Sequence, residues 1–265
     1  MRLGTGKLKV KGTLTLPRGG DKVPCVTMLA GSGPMDRDSS VDACKPFKDL
    51  ALGLAGRGIA TLRFDKVTHT HGSRIRNSKT FTLSDEYLEH ALDAVRQCLA
   101  HHRIRADGIF ILGHSLGGYV ASLEPKIAGC ILMATPVVPM YRSALRELRH
   151  FAAMDDKDDE PAPQTSQIAE LEQQCEVADS PELSKSTPRS KLPLGIGPAY
   201  WLEKRDFAPL RIACQLDRPI LVMQGGRDYQ VTVDDECQFA GRAQRYARSY
   251  AEAVRILEPL VHLWR

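Results

Sequence analysis

The sequence predicts an α/β fold: a mostly parallel central sheet flanked by helices, interrupted by a helical insertion. Three observations carry this. Apolar runs alternate with amphipathic helical stretches over the first half of the chain. The runs are apolar throughout, as strands covered on both faces are, not alternately polar and apolar. The alternation stops near Pro139 and resumes at "PILVMQGGRD". At 265 residues the chain is long enough for one large domain with an insertion. The predicted division is a first part of the core over 1–138, a helical cap over 139–217 and a second part of the core over 218–265.

The elements follow in order. "KLKV" and "GTLTLP" are strand-like runs separated by Gly12, which predicts an N-terminal hairpin. "VPCVTMLA" is a continuous apolar strand that runs into the Gly/Pro-rich loop "GSGPMDRD". "PFKDLALGLAGRG" places Phe47, Leu50, Ala51 and Leu54 on one helical face, with Gly56 and Gly58 as stop signals. "IATLRF" reads as a strand ending at Asp65, and a polar loop follows. In "SDEYLEHALDAVRQCLAHH", Ser84 reads as the N-cap and Leu88, Ala91, Leu92, Val95 and Leu99 as the buried stripe. "GIFIL" and "GCILMAT" are further strands. The insertion carries helical stretches near Tyr141–Met154 and Gln164–Val177, the acidic run "DDKDDE" and a Pro/Ser/Lys-rich stretch. After the strand at "PILVM", "DECQFAGRAQRYARSYA" reads as a helix and "AVRILEPL" as a last strand.

Composition excludes several classes. The net charge of +4 is spread among acids and lacks the clustered basic face of a nucleic-acid binder. No apolar run reaches the ~18 residues of a membrane-spanning helix. The start, "MRLGTGKLKVKG", has no apolar signal core, so a cytoplasmic location is expected. Seven cysteines without a C-x-x-C pair fit free thiols in a reducing compartment. No cofactor or metal is expected. His69 and His71 read as loop residues, His101 and His102 as a helix end, and "DDKDDE" as a solvated segment, because none shows a ligand set.

The chemistry concentrates in "GIFILGHSLGGYV", where an apolar strand ends in G-x-S-x-G. Gly113 and Gly117 let backbones pass where a Cβ would clash, so the turn lifts the Ser115 hydroxyl off the sheet. The Leu116 N–H then faces any charge forming on a substrate oxygen. A neutral serine needs a base, and the base needs an orienting carboxylate. Asp228, just past a strand end in "LVMQGGRDYQV", is the carboxylate candidate. Asp234 and Asp235 read instead as first residues of the next helix. His262 in "EPLVHLW" is the base candidate, the only histidine that follows Asp228. The second oxyanion donor is expected from "LAGSGPMD", at the Ser32 N–H with Gly33 as the alternative. Asp36, Arg37 and Asp38 read as a structural ion-pair or turn network.

These motifs resemble the α/β-hydrolase fold, closest to the bacterial serine esterase branch related to dienelactone hydrolases and acyl-CoA thioester hydrolases. The resemblance rests on Gly31–Asp38, Pro46–Gly58, the "RFDK" of Arg63–Lys66, Gly113–Gly118, Gln224–Val231 and His262–Leu263. It implies Ser115 as nucleophile, Asp228 as acid and His262 as base, acting without cofactor on a small-molecule acyl ester. The same triad would serve an acyl-CoA thioesterase or an acyltransferase, with Arg142, Arg146 and Arg149 as a basic rim for CoA. A silent triad would leave a binding protein on the same fold. Tyr200 and Trp201 are candidates to line an acyl pocket, or to pack the cap on the core.

The chain departs from the pattern in three places. Val67 stands where relatives often carry a basic residue. The stretch after "GHSLGGYV" is short, which implies a clipped helix. Only three residues follow His262, which implies a truncated C-terminus, a loosely held base and a weak enzyme.

Overall fold

Alternate residues of the central strands feed two separate cores, one on each face of the sheet. In the computed structural model, which describes residues 1–121, 127–155, 165–205, 216, 218–235 and 237–238, the strands are β1 (Arg2–Leu3), β2 (Val10–Thr15), β3 (Val23–Leu29), β4 (Ala60–Phe64), β5 (Ile104–His114), β6 (Gly129–Met133) and β7 (Ile220–Met223). Their order is β1-β2-β4-β3-β5-β6-β7, with β4, β3, β5, β6 and β7 parallel and β1 and β2 antiparallel at the edge. Cys25, Leu29, Ile109 and Ile111 pack into one core; Val26, Met28, Phe110 and Leu112 pack into the other. Strand periodicity of two explains the split, and burial on both faces explains the uninterrupted apolar runs.

Helix α1 (Pro46–Ala55) covers one face with Phe47, Leu50, Ala51 and Leu54, the four residues its spacing predicts. The opposite face takes the helix over 84–100, whose first turn, Ser84–Leu88, is π-wound before α3 (Glu89–Ala100). Its cap is corrected by the structure. Thr82 and Asp85 bond reciprocally: Thr82 N–H and Oγ1 donate to Asp85 Oδ2, and the Asp85 N–H donates to Thr82 Oγ1. Ser84 lies inside the helix and donates its N–H and hydroxyl to Glu203 at 3.0 and 2.5 Å. The buried stripe is also rotated, to Tyr87, Ala91, Ala94, Val95 and Cys98, because the small Ala94 and Cys98 sit closest to the strands while Leu92 and Leu99 remain half-buried.

Two further expectations give way. Gly12 does not separate two strands of a hairpin; β2 runs straight through it, and β2 pairs with β1 and β4. A Cβ there would lie 3.0 Å from Leu3 Cδ1 and 3.3 Å from the Arg63 oxygen, so glycine admits close neighbours. The polar loop after Asp65 contains helix α2 (Val67–Ile75), in which only Val67 is buried. That explains the departure at Val67: the side chain packs into the core.

Downstream lie α4 (Leu116–Ala121), α5 (Met140–Asp155), α6 (Thr165–Asp179) and α7 (Pro198–Arg205). Helices α5 and α6 coincide with the two predicted in the insertion. The expected last strand, most of the expected final helix and most of "DDKDDE" lie outside the described residues. No described helix is long and apolar enough to cross a membrane. The predicted Asp36–Asp38 network is present: Arg37 pairs with Asp65 at 2.8 Å and Arg63 with Asp38 at 2.9 Å.

Candidate active site

Ser115 alone separates β5 from α4, and its φ is +50°, left-handed for a residue with a Cβ. Such a conformation costs about 1–2 kcal/mol, so the surroundings must impose it. They do. The Ser115 N–H donates to the Met133 oxygen at 2.9 Å, and the Ser115 oxygen accepts the Gly118 N–H at 2.9 Å. A Cβ on Gly113 would lie 2.5 Å from the Gly118 nitrogen, and one on Gly118 2.5 Å from Thr135 Cγ2. Only glycines let β5, α4 and β6 close this tightly around the turn.

The serine faces a cavity of about 90 Å³ whose wall includes Ser32, Leu116, Tyr119, Ser143, Leu194 and Gln230. Ser32 and Leu116, the expected oxyanion donors, are thus both brought to it. Gly31 passes so close that a Cβ there would sit 3.1 Å from His114 Nδ1 and 3.4 Å from Ser115 Cβ. Beyond Leu116, Met140 and Leu194 begins a larger cavity of about 430 Å³.

Asp228 follows β7 in a turn closed by its N–H on the Gly225 oxygen at 3.1 Å. Its Oδ1 accepts the Gln230 and Val231 N–H groups at 3.0 and 2.9 Å, and among the described residues nothing bonds Oδ2. The His114 imidazole is held below its ordinary pKa by burial, with the Asp228 carboxylate pulling the other way, so the acid lies within electrostatic range of the serine turn. His262 lies outside the described residues. Asp235 stands in the first turn of the next helix, which starts at Val233. Buried, it accepts the Val137 and Thr232 N–H groups at 3.0 Å each and pairs with Arg146 at 2.6 Å.

The aromatic candidates separate. Trp201 is 2% exposed, packs edge-on to Tyr141 and Tyr200 at 5.2 and 5.3 Å, and lines a separate cavity of about 160 Å³ that shares Tyr119 with the serine cavity. Tyr200 lines the larger cavity, with its hydroxyl donating to Glu86 Oε2 at 2.8 Å. The candidate basic rim is occupied: Arg142 pairs with Asp179, Arg146 with Asp235 and Arg149 with Glu172. Sequence reasoning missed Ser143, Leu194 and Gln230 in the cavity wall, since nothing local marks a residue that reaches a distant serine. His69 and His71 face the Pro34 and Lys9 oxygens at 3.1 and 2.9 Å. Among the described residues, no three His, Cys, Asp or Glu side chains gather as a metal site would require.

A parallel sheet wrapped by helices, with a strained serine at a strand–helix turn and an acid after a later strand, defines an α/β-hydrolase fold. The sequence matches the alpha/beta hydrolase family over residues 31–260, and the chain belongs to that family. It is 32% identical over 231 residues to Esterase EstD of Thermotoga maritima, a match covering 85% of this chain and 51% of the relative. The chain therefore spans about half the length of that relative. Among solved structures it is similar to the Pyrococcus furiosus esterase PF2001, with a TM-score of 0.60, 17% identity, and 92% and 76% of the two chains covered. The Pyrococcus horikoshii acylaminoacyl peptidase also matches, with a TM-score of 0.55, 14% identity, and 92% of this chain on 34% of that one. At these identities the structural likenesses speak to the fold.

Proposed function

We propose that the chain is a cofactor-independent serine hydrolase of carboxylic esters. The observation that carries the reading is Ser115: a non-glycine residue at φ +50°, on the turn between β5 and α4, facing a cavity. Strain retained at a cavity wall needs a use, and exposing a nucleophile is one. His262 takes the Ser115 proton as the oxygen attacks the acyl carbon. Asp228 holds the imidazole in the productive tautomer, and the Leu116 and Ser32 N–H groups receive the oxyanion. His262 gives that proton to the departing alcohol as the tetrahedral adduct collapses to the acyl-enzyme; it then takes a proton from water as the water attacks the acyl carbon, and returns it to Ser115 as the carboxylic acid leaves.

The reading extends to 139–217 as a cap, since Met140, Ser143, Ala144 and Leu194 stand in the serine cavity's wall. Leu194 reaches it at φ +57°, between Pro193 and Gly195. The neighbouring cavity of about 430 Å³, walled by Ile75, Phe81 and Met140 beside Arg76, Glu86 and Arg189, is in the size range of small-ligand sites. Arg142, Arg146 and Arg149 are each paired with an acid, which weakens the case for a CoA rim built from those three. The test is labelling by a fluorophosphonate, with hydrolysis of a p-nitrophenyl ester chain-length series. Wild type should label and turn over, and Ser115→Ala should do neither at unchanged thermal stability. Equal activity in the two proteins would refute the assignment.

A further inference from the structure

The loop over 30–34 turns its carbonyl oxygens toward Lys66, α2 and the helix over 84–100. Ala30 O accepts the Tyr87 hydroxyl at 2.5 Å, Gly31 O the Lys66 ammonium at 2.8 Å and Gly33 O the Thr68 hydroxyl at 3.2 Å. Lys66 is 1% exposed; its Nζ pairs with Glu86 Oε1 at 2.8 Å and lies 5.0 Å from the Tyr87 ring centre. The other Glu86 oxygen accepts the Tyr200 hydroxyl from α7 at 2.8 Å. A buried ion pair seldom stabilises a fold better than apolar residues of the same shape, so this one calls for another role.

We infer that Lys66 is a positioning residue that fixes the direction of the Ser32 N–H, and that Glu86 and Tyr200 hold Lys66 in place. The inference rests on the Ser115 reading above. Gly31 C=O and Ser32 N–H belong to one peptide unit. No described peptide bond is cis, so the two groups point in opposite directions. Anchoring the oxygen on the Lys66 side therefore aims the N–H at the other side, where Ser32 meets the serine cavity. The anchor is needed because glycines stand on both sides of Ser32. With Gly31 and Gly33 free to rotate, the unanchored peptide would turn and the donor would be lost. A cation on the carbonyl also polarises the peptide and makes its N–H a stronger donor. Burial first, and then the Glu86 charge, keep the Tyr87 and Tyr200 hydroxyls protonated as donors. The chain Tyr200–Glu86–Lys66–Gly31 thus links the insertion to the oxyanion side of the site.

The experiment compares wild type, Lys66→Met and Tyr200→Phe on p-nitrophenyl acetate. It measures kcat and KM per fluorophosphonate-titrated site, affinity for a trifluoromethyl ketone that forms the tetrahedral adduct, and melting temperature. Lys66→Met should lower kcat about 10²-fold, the scale of one lost oxyanion donor, with KM within about threefold. Ketone affinity should fall in parallel with kcat. Tyr200→Phe should lower kcat about three- to tenfold, well under the loss of a whole donor. A merely structural lysine would lower the melting temperature and leave kcat per titrated site and the ratio of ketone affinity to KM unchanged; that result overturns the inference. If Lys66→Met does not fold, Tyr200→Phe decides by the same criterion. A wild type that neither labels nor turns over overturns the Ser115 reading and this inference together. A wild type that labels, beside variants of unchanged kcat, overturns the inference alone.

Discussion

Replacing Gly117 by alanine would place a methyl carbon 2.8 Å from the Leu29 carbonyl carbon and 2.9 Å from the Ala30 oxygen, with the Leu29 oxygen closer still. All three atoms are backbone, so no side chain can swing away. Leu29 is the last residue of β3, in register with Gly113 of β5, and cannot retreat without breaking that pairing. The helix α4 must move instead, by roughly 1 Å, and overpacking of this kind costs about 1–3 kcal/mol. For a chain of this length each kcal/mol lowers the melting temperature by roughly 2–4 °C, so a loss of about 2–12 °C is expected. The same retreat carries the Leu116 N–H away from the oxyanion position proposed for it, and on that reading a misplacement of ~1 Å costs about 10²-fold in turnover. Thermal denaturation and ester turnover per titrated site read the two effects separately. Gly20→Ala is the control: a Cβ there meets nothing within 4 Å, the residue is exposed in the turn between β2 and β3, and both readings should stay near wild type. Gly117→Ala with wild-type melting and turnover would refute the claim that close backbone approach shapes this turn.

Three other outcomes are expected. Ser115→Gly should be about 1 kcal/mol more stable than Ser115→Ala, both inactive, because only glycine relieves the positive φ; calorimetry that ranks them the other way contradicts the strain. Burial pushes the Lys204 amine down to about 7 from 10.5, so between these values the unfolded chain holds a proton that the folded chain lacks. Stability should climb with pH across that window, and Lys204→Met should stabilise by up to roughly 4 kcal/mol below it and negligibly above it, the Tyr119 and Trp201 rings offsetting part of the cost. Denaturant titrations that stay parallel from pH 6 to 11 would exclude this. For Asp235, burial opposes ionisation, but the Val137 N–H, Arg146 and the Thr232 N–H together hold the carboxyl below its usual range. Its stabilisation is present above about pH 4 and lost in more acid solution. Asp235→Asn should cost about 2–4 kcal/mol at neutral pH, with the gap to wild type closing toward pH 3.

Where the structure agrees with the sequence, the signal is local. Phe47, Leu50, Ala51 and Leu54 bury together because their spacing matches the helical turn. The serine turn is legible because the glycines around it meet backbone or a neighbouring side chain directly. Where the two differ, a distant contact has intervened. Ser84 has the chemistry of an N-cap, yet Glu203, 119 positions away, takes its hydroxyl, and Thr82 caps instead. The stretch "VTHTHGSRI" has little helical signal, and α2 is tied down by His71 on the Lys9 oxygen and Arg74 on the Lys7 oxygen. "RFDK" is visible in the sequence, but not that Lys66 reaches the Gly31 carbonyl.

The sequence by itself determined the α/β layering, the faces of its clearest helix and the turn that presents Ser115, because periodicity and backbone freedom are properties of neighbouring residues. Only the tertiary structure decided which charges meet, which aromatic residues face a cavity, and what anchors the loop beside the serine. Trp201 goes into the core and Tyr200 onto Glu86, 114 residues away, while each cap arginine finds its own acid. Such pairings depend on positions that the chain brings together only when the cores close, and the cost of leaving a buried polar group unpaired then selects the partner.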